Sequence, residues 1–349
     1  MSGNNVRWAI LGTSFISEVM AKAIHASATS QLVAIGSRTV ASAQQFAHQF
    51  SIPKIYDDYQ KLLEDQDIDA VYIGLPNHVH KEWILRSAYA GKHILCEKPL
   101  VLTFEEAEEV IAAIDETKVF CMEALMYRFH PFTQKLQELF KQQILGDIKL
   151  FQAIYTAPIA DLANPVAGGS IRNLGCYPIS LIRLLAGSEP IELIATGRLN
   201  PKTQADNQAS ALLTFEHGVM AVVSTADDLE MVWQFDVFGT KGHLKVLSNP
   251  WLPETTNNKF LIQLYDDSKS YEVTVEAEKP LYTYQIDTVN NHIMTGGYSK
   301  DSDAMSLIDS VANIKILEAW LKQVESRKAP SNTMGDAKVS IPGTMPHYC

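Results

Sequence analysis

A buried-strand pattern, "HILC" (93 to 96), runs straight into Glu97, Lys98 and Pro99. Strand interiors avoid all three residue types, so the strand must end there and present them. In open parallel sheets the carboxyl ends of strands are where ligands bind, which places an ammonium and a carboxylate at a reactive position. A second set comes earlier. "GTSFIS", Gly12 to Ser17, stands where a dinucleotide fold has its Gly-x-Gly-x-x-Gly turn, with only the first glycine kept. Gly12 can supply the tight turn, Ser14 lets backbone approach a pyrophosphate, and Ser17 allows close packing of helix on strand. The helix beyond offers free N–H groups and a partial positive charge to phosphate. A third set, "AIGSRT", ends the second strand with Ser37 and Arg38 in place of the acidic residue that binds a ribose 2′-hydroxyl. A carboxylate repels a 2′-phosphate whereas a guanidinium and a hydroxyl suit one, so NADP(H) is expected, with NAD(H) the alternative. Taken singly, each set is also what an ordinary surface turn or solvated loop carries.

The elements that must position these residues alternate as a parallel sheet with crossover helices requires. Strands are expected at 6–11, 31–36, 69–75, 93–96 and 119–123. Phe15, Ile16, Val19, Met20, Ala23 and Ile24 repeat at helical spacing between the first two. Further helices are expected at 41–50, 80–90 and 104–116, the last with Thr103 and Glu106 in the capping-box relation. Residues 1–124 thus read as a doubly wound dinucleotide-binding domain. After a helix over "HPFTQKLQELFKQQ" the period changes to two. Eight strand-like segments follow at 147–157, 191–199, 208–216, 219–226, 231–239, 242–247, 260–266 and 270–276, with His217-Gly218 and "DDSK" as hairpin turns. Helices are expected at 176–186, 281–296 and 302–326, and an irregular surface tail from Ala329. The whole is α/β: a Rossmann domain followed, over 125–349, by an α+β domain with a large, mostly antiparallel open sheet. One face of that sheet would lie bare, which favours a homodimer through it.

A chain of 349 residues with 46% hydrophobic content is long enough for two packed domains. Its net charge of −11 disfavours nucleic acid and anionic membranes, which need clustered Lys and Arg. The four cysteines, Cys96, Cys121, Cys176 and Cys349, are widely spaced, so neither a disulfide framework nor a zinc site is indicated, and no metal ligands are assigned. A strand pattern begins within five residues of Met1, leaving no room for a leader, and no apolar run reaches the roughly eighteen residues of a membrane span. A cytoplasmic protein is expected.

"GTSFIS", "GLPNHVHKEWILRSAYAGKHILCEKPL", "MYRFHP" and "GGSIRNLGCYP" follow one another in an order that resembles the Gfo/Idh/MocA oxidoreductases, which include glucose-fructose oxidoreductase and inositol dehydrogenase. "RFHP" and "LGCYP" are most similar to the dimeric dihydrodiol and D-xylose dehydrogenase branch. The match covers most of the first 190 residues; beyond them only the strand pattern agrees. The resemblance implies that Gly12, Thr13, Ser14, Phe15, Ile16, Ser37, Arg38, Leu75, Pro76, Asn77, His80, Glu97, Lys98 and Arg128 serve the cofactor. It implies that Lys98, Tyr155, Asn173 and Tyr177 serve the substrate, with Lys98 beside the nicotinamide and Tyr177 the acid/base. Chemistry agrees, because moving a hydride to or from an alcohol carbon requires a partner for the hydroxyl proton. An ammonium beside the phenol is expected to lower its pKa and favour phenolate. Glu97 should pair with nearby polar groups or a ribose, and Pro99 should turn the chain, through a cis Lys98–Pro99 bond, so that Lys98 enters the cleft. His130 is expected to be structural.

The branch usually shows Asp-x-Gly-x-Tyr; here Asn173 replaces the aspartate. An amide can orient a substrate hydroxyl but cannot take a proton. Ser170 and Arg172 also stand where the branch has a small or apolar run. The expected function is hydride transfer between NADP(H) and a hydroxyl or carbonyl of a sugar, polyol or cyclic diol. The other reading, a dinucleotide-binding sensor without turnover, is one that Asn173 keeps open and that the presence of both Lys98 and Tyr177 opposes.

Overall fold

The computed structural model describes residues 5–164, 166–267, 269–296 and 305–326. The tail expected from Ala329, residues 302–304 of the last expected helix and Ser268 of the "DDSK" turn lie outside them.

The first sheet is built from β1 (Val6–Leu11), β2 (Ser30–Gly36), β3 (Lys54–Tyr56), β4 (Ala70–Ile73), β5 (His93–Cys96) and β6 (Cys121–Glu123). Its order is β3-β2-β1-β4-β5-β6, all pairs parallel. Helices α1 (Phe15–Ala26), α2 (Val40–Phe50), α4 (His80–Tyr89) and α5 (Phe104–Thr117) join these strands, with the short α3 (Tyr59–Leu63) after β3. Both faces of the sheet are covered, so β4 is buried at every position, as parallel strands are. The order reverses between β1 and β4, and the crevice at such a reversal receives ligands. Two elements escaped the sequence reading. β3 has three residues and α3 five, too few for either period to register. At α5, Thr103 Oγ1 accepts from Glu106 N at 3.2 Å as expected, but Glu106 Oε2 accepts from Leu102 N at 2.9 Å instead of the cap's own N–H.

After α6 (Pro131–Lys141) come β7 (Ile148–Thr156), α7 (Cys176–Ala186), β8 (Pro190–Leu199), β9 (Asp206–Phe215), β10 (Met220–Ala226), β11 (Val232–Gly239), β12 (Gly242–Val246), β13 (Asn258–Leu264) and β14 (Ser270–Val275). They form an eight-stranded sheet, β14-β13-β12-β11-β7-β10-β9-β8, antiparallel except that β7 and β10 run parallel. The predicted alternation is clear in β7, β9, β10 and β12 and is not seen in the burial of β8, β11 and β14. Phe151, Ala153, Tyr155, Val223, Phe235 and Val237 are buried on one face, while Ile194, Met220, Val222 and Val232 are exposed on the other. His217 and Gly218, with φ of 59° and 75°, make the turn between β9 and β10, positive values that two-residue hairpin turns require.

The chain's last helices return to the first sheet. α8 (Leu281–Thr295) places Asn290 Oδ1 2.9 Å from the buried Trp8 indole N–H, and Asp287 accepts from Ser27 at 2.6 Å. α9 (Leu307–Ser326) reaches both halves: Glu318 accepts from Phe104 N at the start of α5, and Gln323 pairs with the β8 backbone at Leu193 and Ala195.

Candidate active site

At the end of β1, Gly12 takes φ +99°, and a Cβ there would meet Gly74 O and Leu75 Cδ2 at 3.0 Å, so the turn requires glycine. Ser17 packs under Gly74 on the next strand end, and Ser14 Oγ caps α1 by accepting from Ser17 N at 3.4 Å. This turn opens onto a cavity of about 600 Å³ lined by Gly12, Thr13, Ser14, Ser37, Arg38, Leu75 and Pro76. It is also lined by Thr39, Ser42, Tyr59, His78 and Trp83, to which the sequence assigned no cofactor role. Thr39 caps α2 by accepting from Ser42 N at 3.3 Å, a readable signal. Tyr59 and Trp83, edge to face at 4.9 Å, come from α3, which was not anticipated, and from α4. A tight glycine turn, a helix N-terminus and one guanidinium converging on this volume fit the pyrophosphate and phosphorylated ribose of a dinucleotide. Phe15 lies beside the cavity, 80% exposed, and Ile16 turns into the core.

The strand-ending motif is held by its neighbours. The Lys98–Pro99 bond is cis, as expected. Glu97 accepts from Tyr72 Oη at 2.7 Å and from Lys98 N at 3.2 Å, and burial raises its pKa against the pull of Lys98. The partner is Tyr72, a residue the sequence reading did not name. His80 does not face the cavity, contrary to expectation. It is fully buried, with Nδ1 3.0 Å from Pro99 O and Nε2 2.8 Å from Leu75 O, so it braces the two loops that frame the site. Burial lowers its pKa.

Across from these loops stands α7, entered through a π-helical turn, Ile171–Gly175. Such turns are frequent at functional sites because they re-aim backbone groups. Here the Asn173 carbonyl accepts from Lys98 Nζ at 2.9 Å, and the ammonium lies 5.2 Å from the Tyr177 ring centroid. Tyr155 packs edge-on against Tyr177 at 5.6 Å and also against Trp251, and burial pushes its pKa up to about 12. Burial likewise lifts the Tyr177 phenol well above the ordinary tyrosine value, with Cys176, Tyr282, Tyr155 and Glu97 pushing the same way. The expected lowering by Lys98 is therefore overturned. Desolvation outweighs the ammonium, whose hydrogen bond goes to a carbonyl, and the phenol is held neutral.

Ser170 and Arg172 turn away from the cleft. Ser170 Oγ donates to Asp206 at 3.0 Å and Arg172 donates to Leu102 O at 3.0 Å. Arg128, expected near the cofactor, is buried with its guanidinium donating to Ser180 Oγ at 2.9 Å and ion-paired with Asp309, joining α7 to α9. His130 caps α6 by accepting from Phe132 N at 3.2 Å, a structural duty; burial lowers its pKa to about 4.

A parallel sheet with a glycine turn at its reversal, and a lysine past the end of β5 lying over a tyrosine of α7, has the features of an oxidoreductase of the dinucleotide-binding class. The models of this family match at residues 6–125 (Oxidoreductase family, NAD-binding Rossmann fold) and 133–245 (GFO/IDH/MocA C-terminal domain), and the chain belongs to the Gfo/Idh/MocA family. It is 30% identical over 326 residues to trans-1,2-dihydrobenzene-1,2-diol dehydrogenase of Xenopus laevis, covering 91% of this chain and 98% of that one. It is 33% identical to D-xylose 1-dehydrogenase (NADP(+)) 2 of Haloferax volcanii, covering 77% and 86%. A 3-ketoreductase from Actinomadura kijaniata, solved with NADP and TDP-benzene, superposes with a TM-score of 0.83 at 26% identity, over 93% of this chain and 98% of that one. The protein is an NAD(P)-dependent oxidoreductase acting on CH–OH groups. No helix among the described residues is long and apolar enough to cross a membrane.

Proposed function

We propose that the protein is an NADP(H)-linked dehydrogenase or reductase of a sugar, polyol or cyclic diol, with Lys98 and Tyr177 as its proton-handling pair. The observation that supports this is their proximity: the Lys98 ammonium, just past β5, lies 5.2 Å from the ring centroid of Tyr177 on α7. Bound nicotinamide supplies or accepts the hydride. Tyr177, held neutral, donates its proton to a carbonyl oxygen, and Lys98 hydrogen-bonds the same oxygen and stabilises the charge that develops on it. Ser37 and Arg38 bind the 2′-phosphate, with Thr39 and Ser42 beside them in the same cavity. Tyr155, packed edge-on against Tyr177, serves the substrate side of the site.

The substrate class rests on relatives whose names specify a cyclic diol and an aldose. Residues 1–124 act as the dinucleotide domain and 125–349 as the substrate and dimerisation domain of a cytoplasmic homodimer. Fluorescence titration with NADPH and NADH, followed by an absorbance assay over pentoses, hexoses, trans-diols and their carbonyl counterparts, tests the reading. Binding of NADPH with no turnover on any of them would replace the enzyme with a sensor.

A further inference from the structure

Asn173 joins three parts of the site and touches each with a different group. Its backbone carbonyl accepts from Lys98 Nζ at 2.9 Å. Its side-chain amide donates to Gly169 O at 3.0 Å and Gly168 O at 3.4 Å. Its side-chain oxygen receives Asn77 Nδ2 at 3.4 Å, and the same Asn77 nitrogen reaches Ala167 O at 3.3 Å. Asn77 directly follows the Leu75-Pro76 wall of the dinucleotide cavity.

The loop it gathers cannot relax elsewhere. A Cβ on Gly169 would stand 1.8 Å from Asp206 O, and Gly168 has φ +96°. The buried Asp206 carboxylate holds the N–H side, accepting from Gly169 N, Ser170 Oγ and Ile171 N at 3.1, 3.0 and 2.6 Å. On the carbonyl side Gly168 O accepts from Asn164 N at 3.3 Å and Gly169 O from the Asn173 backbone N–H at 3.0 Å, and the Asn173 side chain supplies a further donor to both. Only a side chain with a donor at one end and an acceptor at the other can serve two carbonyls and an amide together, and asparagine has both.

We propose, building on the oxidoreductase reading above, that the Asn77–Asn173 amide pair is a latch between the dinucleotide turn and the substrate helix, and that Asn173 is a positioning residue. The latch fixes the carbonyl that aims Lys98 and closes the 167–169 loop over the cleft. It replaces the expectation that Asn173 binds a substrate hydroxyl. A carboxylate at 173 would face two carbonyl oxygens, so an aspartate serves there only while protonated.

The test uses the full-length protein and NADPH as the probe. Affinity is measured by fluorescence from pH 5 to pH 9 for the wild type, Asn77→Ala, Asn173→Ala, the double variant and Asn173→Asp, each first checked for an intact melting transition. The losses in the two alanine variants are expected not to multiply, the double variant binding about as weakly as the weaker single one. The affinity of Asn173→Asp relative to wild type is expected to fall at least severalfold as pH rises across the range. Losses that multiply, or a ratio for Asn173→Asp that stays constant with pH, would overturn the latch. Should an alanine variant at 173 not fold, Asn77→Ala and the pH ratio of Asn173→Asp still decide. None of these readouts needs turnover. A wild type that binds NADPH but reduces nothing would therefore count against the enzyme reading while the cycle judged the latch separately.

Discussion

The Lys98 ammonium lies over the Tyr177 ring and donates to the carbonyl of Asn173, four residues before that ring in the same helical entry. The amine is thus held by the backbone that carries its partner, so motion of one drags the other. The lysine directly follows β5, and the phenol directly follows a π-helical turn at the start of α7.

The neutrality of Tyr177 has a directional consequence. Its folded-state pKa lies well above the ordinary value because burial disfavours the phenolate. Carbonyl reduction, which consumes a proton, is expected to show no alkaline limb from this group up to about pH 9. Alcohol oxidation, which needs a base, is expected to keep rising with pH across the same range. An oxidation rate already level near pH 7 would show that the phenol ionises easily.

On the proposed reading, Arg38 separates the two dinucleotides by binding the 2′-phosphate. Its removal deletes charge-assisted hydrogen bonds worth roughly 1.5–3 kcal/mol, so Arg38→Ala is expected to weaken NADPH about 10- to 100-fold. NADH binding should change little. Equal losses by fluorescence titration would remove the case for 2′-phosphate recognition.

Glu123, fully buried at the end of β6, accepts from Leu100 N at 3.1 Å, and burial raises its pKa to about 7. The unfolded chain releases this proton near pH 4.5, so the folded protein binds more protons between the two values. Its stability contribution is whole below the unfolded value and is lost as pH rises through 7. Glu123→Gln keeps the acceptor without the charge. The variant's melting temperature relative to wild type is expected to rise between pH 5 and pH 8, and the full effect is on the order of 3 kcal/mol. A gap that does not widen over that interval would contradict the assignment.

The open face of the second sheet carries an apolar row, Ile194, Leu212 and Val222, in register across β8, β9 and β10, with Met220 beside it. Ile194 is 50% and Val222 36% exposed, more than such residues usually leave to water in the middle of a sheet. Val222→Glu is expected to convert a sedimenting dimer to monomer at micromolar concentration. Wild type that sediments as a monomer would remove the proposed interface.

Much of the fold was legible because its signals are long. Eight strands of period two and the crossover helices each repeat often enough to register, and Gly12 announces its turn by type. What escaped is short or assembled from afar. β3 spans three residues, Tyr72 and Tyr59 lie outside every quoted motif, and Trp83 lies within one whose resemblance assigned it no role. His80 and Arg128 carried functional expectations by position in a motif, yet the structure uses both as buried braces. Sequence order cannot tell a side chain that faces a cleft from one that faces the loops behind it. The Tyr177 pKa was misread for a related reason, since a charged neighbour is visible in sequence and desolvation is not.

The most direct test of the Lys98–Tyr177 pair is steady-state NADPH consumption with the best carbonyl substrate of the panel, in wild type, Tyr177→Phe and Lys98→Ala. Tyr177→Phe is expected to keep NADPH affinity within a few-fold, and in both variants kcat is expected to fall by about 10²–10⁴, the span assigned to a lost general acid. A Tyr177→Phe enzyme turning over at the wild-type rate would contradict the account.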